Sequence, residues 1–449
     1  MMRRRDFLRA GLTLAATWRT PGSIAAAAAR VVVVGGGFAG SCCALALRRL
    51  SPATDIALID PQSHYVTCPM SNEALVGLRS LDSLTTSRPG LRQGSIRYIS
   101  EAATRIDAGN RRVGLRSGGE IAYDRLIVAP GIRLLWGKPE GYDERSASVM
   151  PHGWQAGEQT RLLAAQLRSL PDGGTVGISV PGGLMRCPPG PYERASLIAG
   201  WLRVHRPRGK VLIFDSNNHF PRQDVFMATW QDLYPGLIEW IPPTQGGAVT
   251  RVDARTCTLY SSTGSQRVSV ANVIPPQAPG QLAADSGLAT GHGWCPVDPL
   301  SFESQLIPGI HVIGDACIAG AMPKSASAAR SQAHQCAVAV AALLQGQEVP
   351  SVELSSVCYS RLSEERALAI QGQFRIEGGE IRQVPATEAA QAPSQPQVSP
   401  PPPSAQAQPS AQPPPSAQAQ PSAQPPPSAQ LTAEAREWYA DIRADAFGG

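Results

Sequence analysis

The fold of this 449-residue chain is indicated most directly by the segment Arg30-Val31-Val32-Val33-Val34-Gly35-Gly36-Gly37-Phe38-Ala39-Gly40. Its β-branched run predicts a buried parallel strand that enters a glycine loop, and an apolar helical pattern follows as far as Leu50. Gly35 permits the tight turn, Gly37 lets backbone approach a pyrophosphate, and Gly40 lets the helix pack on the strand. The stretch therefore predicts a dinucleotide-binding βαβ unit.

A second predicted strand, 56–60, completes this unit and ends in a carboxylate twenty residues past Gly40. We expect Asp60 to accept hydrogen bonds from an adenosine ribose, while the helix N-terminus attracts the phosphates. A glycine motif alone is weak evidence, but here it lies between a strand and a helix, as the binding mode requires.

Two later segments accompany the first unit. Residues 123–131 read as a strand that runs into a tight turn, and 309–316 as a strand that ends at Asp315. The three segments together resemble the two-dinucleotide-domain flavoproteins related to glutathione reductase. The resemblance implies an α/β fold of two Rossmann-like dinucleotide-binding domains plus a smaller C-terminal domain, with FAD as cofactor. The expected FAD contacts in these segments are Gly35, Gly37, Gly40, Asp60, Ala129, Gly131, Gly314 and Asp315.

The second Rossmann-like unit has an altered nucleotide loop. Strands are predicted at 173–180 and 210–215, but the turn after the first is Pro181-Gly182-Gly183-Leu184-Met185-Arg186-Cys187-Pro188-Pro189-Gly190. Its three prolines remove backbone N–H donors that a pyrophosphate would need. We therefore expect that NAD(P)H binding is lost there and that a cysteine occupies its place.

Composition shifts divide the chain. Residues 384–430 repeat a Pro/Ser/Ala/Gln unit that cannot bury a core, so a disordered tether is predicted, followed by a helical pattern after Leu431. The predicted divisions are a signal peptide at 1–29, an FAD-binding domain at 30–145 and 273–350, a second Rossmann-like domain with a degenerate NAD site at 146–272, a C-terminal interface domain at 351–383 and 431–449, and the tether at 384–430.

The N-terminus predicts export. Arg4-Arg5-Asp6-Phe7-Leu8 has the twin-arginine form, and a modest apolar stretch and a small-residue run follow it. The expected location is the periplasm, with delivery by the twin-arginine route after folding. No later stretch reaches the roughly 18 apolar residues of a membrane span.

Charge argues against a nucleic-acid partner. The net charge is +5, but the first 29 residues hold five arginines against one aspartate, so removing them leaves about +1. The nine cysteines are too few, in a chain this long, for a disulfide scaffold. No metal site is predicted.

Three cysteine contexts carry a more specific resemblance. They are Tyr65-Val66-Thr67-Cys68-Pro69-Met70-Ser71-Asn72, the run from Arg186 to Ala195, and Val357-Cys358-Tyr359. Together with 293–298 and 322–325, they resemble the flavoprotein subunit of flavocytochrome c sulfide dehydrogenase, a relative of sulfide:quinone oxidoreductases. The resemblance runs from Val31 to about Tyr359 and resumes at Trp438.

The resemblance implies roles for these residues. Cys68 would form a thioether to the 8α-methyl carbon of FAD, and Cys187 and Cys358 a redox disulfide over the flavin. Hydrosulfide would attack this disulfide, pass two electrons to the flavin and leave as zero-valent sulfur or polysulfide. Glu193 is a candidate acid/base, with an ion-paired or solvent-facing carboxylate as the open alternative. Lys324, at a predicted helix start, is expected to stabilise reduced flavin.

The electron acceptor is expected on another chain. No C-x-x-C-H occurs, so haem c would belong to a cytochrome c subunit in a heterodimer. Two alternatives stay open: a sulfide:quinone oxidoreductase, and a non-catalytic, redox-regulated flavoprotein that acts as a binding module. An NADH-linked disulfide reductase is disfavoured by the prolines of the second nucleotide loop and by the absence of C-x₄-C after the first.

Overall fold

A computed structural model describes residues 28–291, 293–385 and 426–448. The predicted signal peptide at 1–29 lies outside the described residues except for its last two positions, and so does most of the predicted tether at 384–430.

The strands are, in chain order, β1 (Arg30–Val34), β2 (Asp55–Ile59), β3 (Tyr65–Val66), β4 (Thr85–Thr86), β5 (Arg97–Ile99), β6 (Ala103–Asp107), β7 (Arg112–Leu115), β8 (Glu120–Ala122), β9 (Arg125–Val128), β10 (Ile132–Leu134), β11 (Thr175–Val180), β12 (Lys210–Asp215), β13 (Ile238–Ile241), β14 (Arg251–Asp253), β15 (Thr258–Ser261), β16 (Gly264–Arg267), β17 (Val270–Val273), β18 (Gln277–Pro279), β19 (Cys295–Pro296), β20 (Ile310–Val312), β21 (Cys317–Ile318), β22 (Leu354–Arg361), β23 (Ala367–Glu377) and β24 (Glu380–Gln383). The α-helices are α1 (Phe38–Leu50), α2 (Ser71–Leu75), α3 (Pro89–Gln93), α4 (Glu158–Arg168), α5 (Gly190–His205), α6 (Gln223–Leu233), α7 (Gln281–Asp285), α8 (Ala326–Leu344) and α9 (Ala429–Phe447).

The larger parallel sheet has the order β20-β9-β1-β2-β5. Its centre is β1, where Val31, Val32 and Val33 are almost fully buried. Residues on both faces of a central parallel strand pack against other elements, which is why the strand reads as a continuous β-branched run. Helices α1 and α8 pack against each other and share the core of this sheet.

The second parallel sheet has the order β13-β12-β11-β17 and a core of its own. A three-stranded antiparallel sheet, β22-β23-β24, follows α8. Two parallel sheets flanked by helices, together with a small antiparallel sheet near the C-terminus, confirm the predicted fold class.

Helix α9 packs on the first sheet's core rather than standing apart from it. Phe447 is fully buried, and its ring lies 5.0 Å from that of Phe38 and 5.4 Å from that of Tyr65, measured between centroids. The Tyr439 hydroxyl hydrogen-bonds Thr67 Oγ1 at 2.7 Å. These contacts place the end of the chain beside the segment that carries Cys68. No helix in the described part of the chain combines the length and apolarity that a bilayer crossing requires.

Candidate flavin site

A cavity of about 720 Å³ runs along the carboxyl end of the first sheet and reaches β22, α9 and the loop before α5, which carries Arg186 and Cys187. Such a volume is in the usual range for small-molecule and cofactor sites. The predicted site residues that line it are Gly35, Gly37, Asp60, Cys68, Ala129, Gly131, Cys187, Glu193, Gly314, Asp315 and Cys358. Gly40 and Lys324 do not line it.

The glycine loop admits no side chain at two positions. Gly35 has φ +99°, and a Cβ there would lie 2.2 Å from the Ala129 carbonyl oxygen. A Cβ on Gly40 would lie 1.9 Å from the Gly35 carbonyl oxygen. Gly40 therefore packs the helix on the turn without touching the cavity, as the first unit's spacing predicts.

The N-terminus of α1 faces the cavity through Gly36, Gly37 and Phe38. It has no side-chain cap and no acidic residue in its first turn, so its N–H groups and the positive end of the helix dipole are available. This arrangement fits a pyrophosphate.

Asp60 supports the loop as well as lining the cavity. Its Oδ2 accepts a hydrogen bond from the Gly36 N–H at 2.6 Å. Arg88, with a side chain 1% exposed, approaches Asp60 Oδ1 to 3.4 Å and donates from Nε to the Gly36 carbonyl at 2.6 Å. Sequence reasoning missed Arg88, because a single arginine between loop residues carries no motif.

All nine cysteines are free thiols in the structure, so the implied Cys187–Cys358 disulfide is not formed in it. Both thiols line the same cavity. Burial, together with the nearby Glu193 carboxyl and Cys358, raises the pKa of Cys187. Burial also raises the pKa of Cys358, although hydrogen bonds from the Ser325 and Ser356 hydroxyls oppose the effect. Neither environment favours a free thiolate before reaction.

The Cys187 backbone is held in the left-handed region, at φ +51°. Its N–H donates to the Lys324 carbonyl at 2.8 Å, and its carbonyl accepts from the Gly190 N–H at 2.8 Å. A non-glycine residue pays about 1 kcal/mol or more for this conformation, so the surrounding bonds fix it. Positive φ at a reactive side chain is typical of functional sites.

A Cβ on Gly190, the first residue of α5, would lie 3.1 Å from Cys187 Sγ. The same Cβ would lie 3.0 Å from the Trp154 ring. Gly190 therefore leaves the space in which this sulfur sits.

Arg186 is a cation of the same cavity, and the sequence did not single it out. It lines the cavity and donates from Nη2 to the Trp154 carbonyl, and Cys68 Sγ approaches the same carbonyl at 3.9 Å. Burial opposes its charge, but the neighbouring Cys68 and Asp315 hold the pKa of Arg186 above its ordinary value. Arg186 is therefore a fixed positive charge.

Lys324 does not line the flavin cavity. Its Nζ donates to the carbonyls of Asp315 and Cys317, each at 2.8 Å, and lies 3.8 Å from the centre of the Trp294 ring. It lines a second cavity of about 290 Å³. Burial lowers its pKa. Lys324 contacts two residues that line the flavin cavity: its ammonium binds the Asp315 carbonyl, and its own carbonyl binds the Cys187 N–H.

Glu193 is held by two neutral donors. Its Oε2 accepts from Asn72 Nδ2 at 2.7 Å, and its Oε1 from the Arg361 N–H at 3.0 Å. Burial raises the pKa of Glu193 to about 7, with those hydrogen bonds opposing it. A carboxyl that titrates near neutrality can both give and take a proton.

The cavity also presents two unused donors. Among the described residues, the buried indole N–H groups of Trp154 and Trp438 have no hydrogen-bond partner, and both side chains line the cavity. Buried polar groups are normally paired, so the pair fits a ligand with carbonyl or phosphate oxygens. Together with the glycine cradle and the free helix N-terminus, they fit FAD.

The fold and cavity define a two-dinucleotide-domain flavoprotein, and comparisons with known proteins agree. A family model described as pyridine nucleotide-disulphide oxidoreductase matches residues 29–144. A model described as the central part of the sulfide dehydrogenase [flavocytochrome c] flavoprotein chain matches residues 160–275.

Curated relatives point the same way. The sulfide-quinone reductase of Aquifex aeolicus is 32% identical over 111 residues, which are 24% of this chain and 26% of that protein. The mitochondrial sulfide:quinone oxidoreductase of Mus musculus is 22% identical over 311 residues, 64% of this chain and 65% of that protein. The matches thus span from about a quarter to under two thirds of these relatives.

Solved structures share the fold. The sulfide:quinone oxidoreductase of Aquifex aeolicus superposes with a TM-score of 0.64 at 20% identity, covering 80% of this chain and 87% of that chain. Putidaredoxin reductase in its covalent complex with putidaredoxin gives 0.60 at 18% identity, covering 78% and 82%. The chain is related to the flavocytochrome c sulfide dehydrogenase and sulfide:quinone oxidoreductase flavoproteins, and this relationship implies FAD.

Proposed function

We propose that the protein is a periplasmic, FAD-dependent sulfide dehydrogenase subunit. It oxidises hydrosulfide to zero-valent sulfur or polysulfide and passes the electrons to a cytochrome c subunit. The observation that carries the proposal is that Cys68, Cys187 and Cys358, which lie far apart in sequence, line one dinucleotide cavity. The support for cytochrome c as the acceptor is the match of 160–275 to the sulfide dehydrogenase [flavocytochrome c] flavoprotein chain.

Each cysteine has a distinct role in this proposal. Cys68 anchors FAD through a thioether, and bound FAD supplies a two-electron acceptor. Cys187 and Cys358 form a disulfide in the working enzyme, which hydrosulfide opens by thiol–disulfide exchange. The exchange forms one S–S bond, breaks another and releases a thiolate. Arg186 stabilises the negative charge of the released thiolate, and Glu193 gives a proton to that thiolate.

Denaturation of the purified holoprotein tests the anchor. Yellow colour should stay with a peptide that contains Cys68 and be released from Cys68→Ser. Free flavin from the wild type would contradict the thioether.

Anaerobic sulfide addition tests the reaction. Sulfide should bleach the flavin, and reoxidation should be fast with cytochrome c and slow with a quinone. Cys358→Ser should abolish bleaching, whereas Cys257→Ser, a matched cysteine that does not line the cavity, should retain it. Full activity in Cys358→Ser would exclude the disulfide route. Faster reoxidation by quinone would move the protein to the quinone-linked class.

Location is tested separately. A double Arg4→Lys, Arg5→Lys variant should remain in the cytoplasm if the twin-arginine route exports the chain. Periplasmic recovery of that variant would contradict the route.

A further inference from the structure

Residues that follow the three cavity cysteines meet in one buried polar network. Asn72 lies four residues after Cys68 on α2, Glu193 six residues after Cys187 on α5, and Arg361 three residues after Cys358 on β22. The hydrogen bonds of Glu193 to Asn72 and to the Arg361 N–H join the three segments. The segments are therefore fixed relative to one another by side chains as well as by the backbone.

Asn72 uses both ends of its amide in this network. Its Nδ2 donates to Glu193 Oε2 at 2.7 Å and to the Gly190 carbonyl at 3.3 Å, and its Oδ1 accepts from Arg194 Nε at 3.0 Å. Arginine can only donate, and both groups opposite Nδ2 can accept. The reversed amide would set two donors against each other, so the amide has one satisfactory orientation.

The neighbouring cations are committed elsewhere. The Arg361 guanidinium pairs with Glu73 Oε1 at 2.9 Å, and both side chains are buried. Arg194 donates to the His152 and Gly153 carbonyls and to Asn272 Oδ1. Among the described residues no cation forms an ion pair with Glu193. The titratable and charged groups that face Glu193 are Glu73, Cys187, Arg194, Cys358 and Arg361.

We propose that Asn72 is a positioning residue, which fixes the Glu193 carboxyl against the Cys187 loop for proton transfer with the cavity sulfurs. The inference rests on the proposed function. When hydrosulfide opens the disulfide, the released thiolate takes the Glu193 proton, and Glu193 becomes a carboxylate. When that cysteine ionises again later in the cycle, the proton returns to Glu193. Asn72 keeps the carboxyl in place through both states because its N–H can donate to either.

The test does not depend on sulfide turnover. In phosphine-reduced holoprotein, the rate at which iodoacetamide alkylates Cys187 is measured against pH by peptide mass spectrometry. Ionisation of Glu193 raises the pKa of the Cys187 thiol, so the wild-type plot should bend near pH 7. Glu193→Gln should remove the bend.

Asn72→Asp replaces the donor with a second acceptor facing Glu193. Because like charges disfavour ionisation, the bend should move up by about one pH unit or more. Asn272→Asp is the matched control: Asn272 also accepts from Arg194, at 2.8 Å, but its other bonds go to the Pro151 and His152 carbonyls. Its bend should stay at the wild-type pH.

A bend at the wild-type pH in Asn72→Asp would overturn the proposal. If Asn72→Asp does not fold, the smaller, uncharged Asn72→Ser takes its place. Failure of both to fold, with Asn272→Asp folded, would also overturn it, since Asn72 would then be a folding residue. Absence of sulfide bleaching in the wild type would contradict the proposed function alone, because the bend in the alkylation rate against pH is measured without sulfide.

Discussion

The Tyr192 hydroxyl donates a hydrogen bond to Asp215 Oδ2 at 2.5 Å, inside the second Rossmann-like unit. Asp215 ends β12, the strand that corresponds to β2 with Asp60 in the first unit. Trp240 Nε1 donates to the same oxygen at 2.9 Å, and the Tyr192 ring stacks on Phe220 with centroids 3.7 Å apart. Tyr192 and Trp240 thus both donate to Asp215, at the position where a nucleotide site would have a carboxylate free to bind an adenosine ribose.

NADH should therefore neither bind nor reduce the flavin. Anaerobic titration, followed by flavin absorbance, should show no change at any NADH concentration. Saturable bleaching would contradict the assignment of this unit as a degenerate site.

Tyr192→Phe should lower the free energy of unfolding by about 2 kcal/mol, because it removes a buried hydrogen bond to a carboxylate. It should not restore NADH binding, since Trp240 still covers the same oxygen. Denaturant unfolding monitored by fluorescence gives the first quantity, and the NADH titration the second. An unchanged unfolding free energy would show that this bond contributes nothing net.

Gly190→Ala should slow disulfide formation between Cys187 and Cys358 on the order of tenfold or more, because the added methyl displaces the Cys187 sulfur. The same methyl would lie 3.0 Å from the Trp154 ring, so the free energy of unfolding of the variant is measured alongside the rate. Gly182→Ala is the control within the same loop, since its nearest neighbour would be 3.5 Å away. Mass spectrometry of samples taken at timed intervals during oxidation measures the rate of disulfide formation in both variants. Equal rates in the two variants would contradict the packing argument.

Much of the fold was predictable because buried parallel strands are continuous apolar runs. β1 and β12 have the predicted bounds, Arg30–Val34 and Lys210–Asp215. The helical pattern after Leu431 was also visible, and α9 spans Ala429–Phe447. Its packing against Phe38 was not predictable, because the long tether gives no information about where the helix docks.

The site was predictable where a spacing carries a mechanism, as in the glycine loop, and where cysteines have distinctive neighbours. It was not predictable for Arg88, Arg186 and Asn72, whose partners lie on distant segments. For Lys324, the sequence suggested a contact that the structure does not contain. Its place before α8 suggested a flavin contact, but Trp294 and two carbonyls hold the ammonium at another cavity.

Stability should carry a signature of Glu193. The folded protein holds this proton up to about pH 7, whereas the ordinary glutamate value is 4.5. The stability that the raised pKa contributes is therefore fully present below pH 4.5 and is lost as pH rises through 7. The unfolding free energy of the wild type relative to Glu193→Gln should fall by about 2 to 3 kcal/mol between pH 4.5 and 8. Denaturant unfolding at several pH values checks this, and a pH-independent difference would contradict the burial of the carboxyl.

Asp445 should make the docking of α9 sensitive to acid. Its Oδ2 accepts from Arg330 Nε at 2.6 Å and from His334 Nε2 at 2.9 Å, both on α8. Burial opposes ionisation, but the bonds from His334 and Arg330 hold the pKa of Asp445 well below its usual range. Stability from this depressed pKa is present above the unfolded value near pH 4 and is lost as pH falls below it.

Asp445→Asn should therefore loosen α9 at neutral pH, with faster hydrogen exchange across 429–447 and about 1 to 2 kcal/mol less stability. Because Trp438 lines the flavin cavity from this helix, flavin fluorescence should rise together with the exchange. Asp441→Asn, at an exposed position of the same helix, is the matched control and should leave both unchanged. If α9 exchange accelerates without any change in flavin fluorescence, the helix does not close the cavity. Slow exchange in Asp445→Asn would instead show that Phe447 and Tyr439 hold the helix without the ion pair.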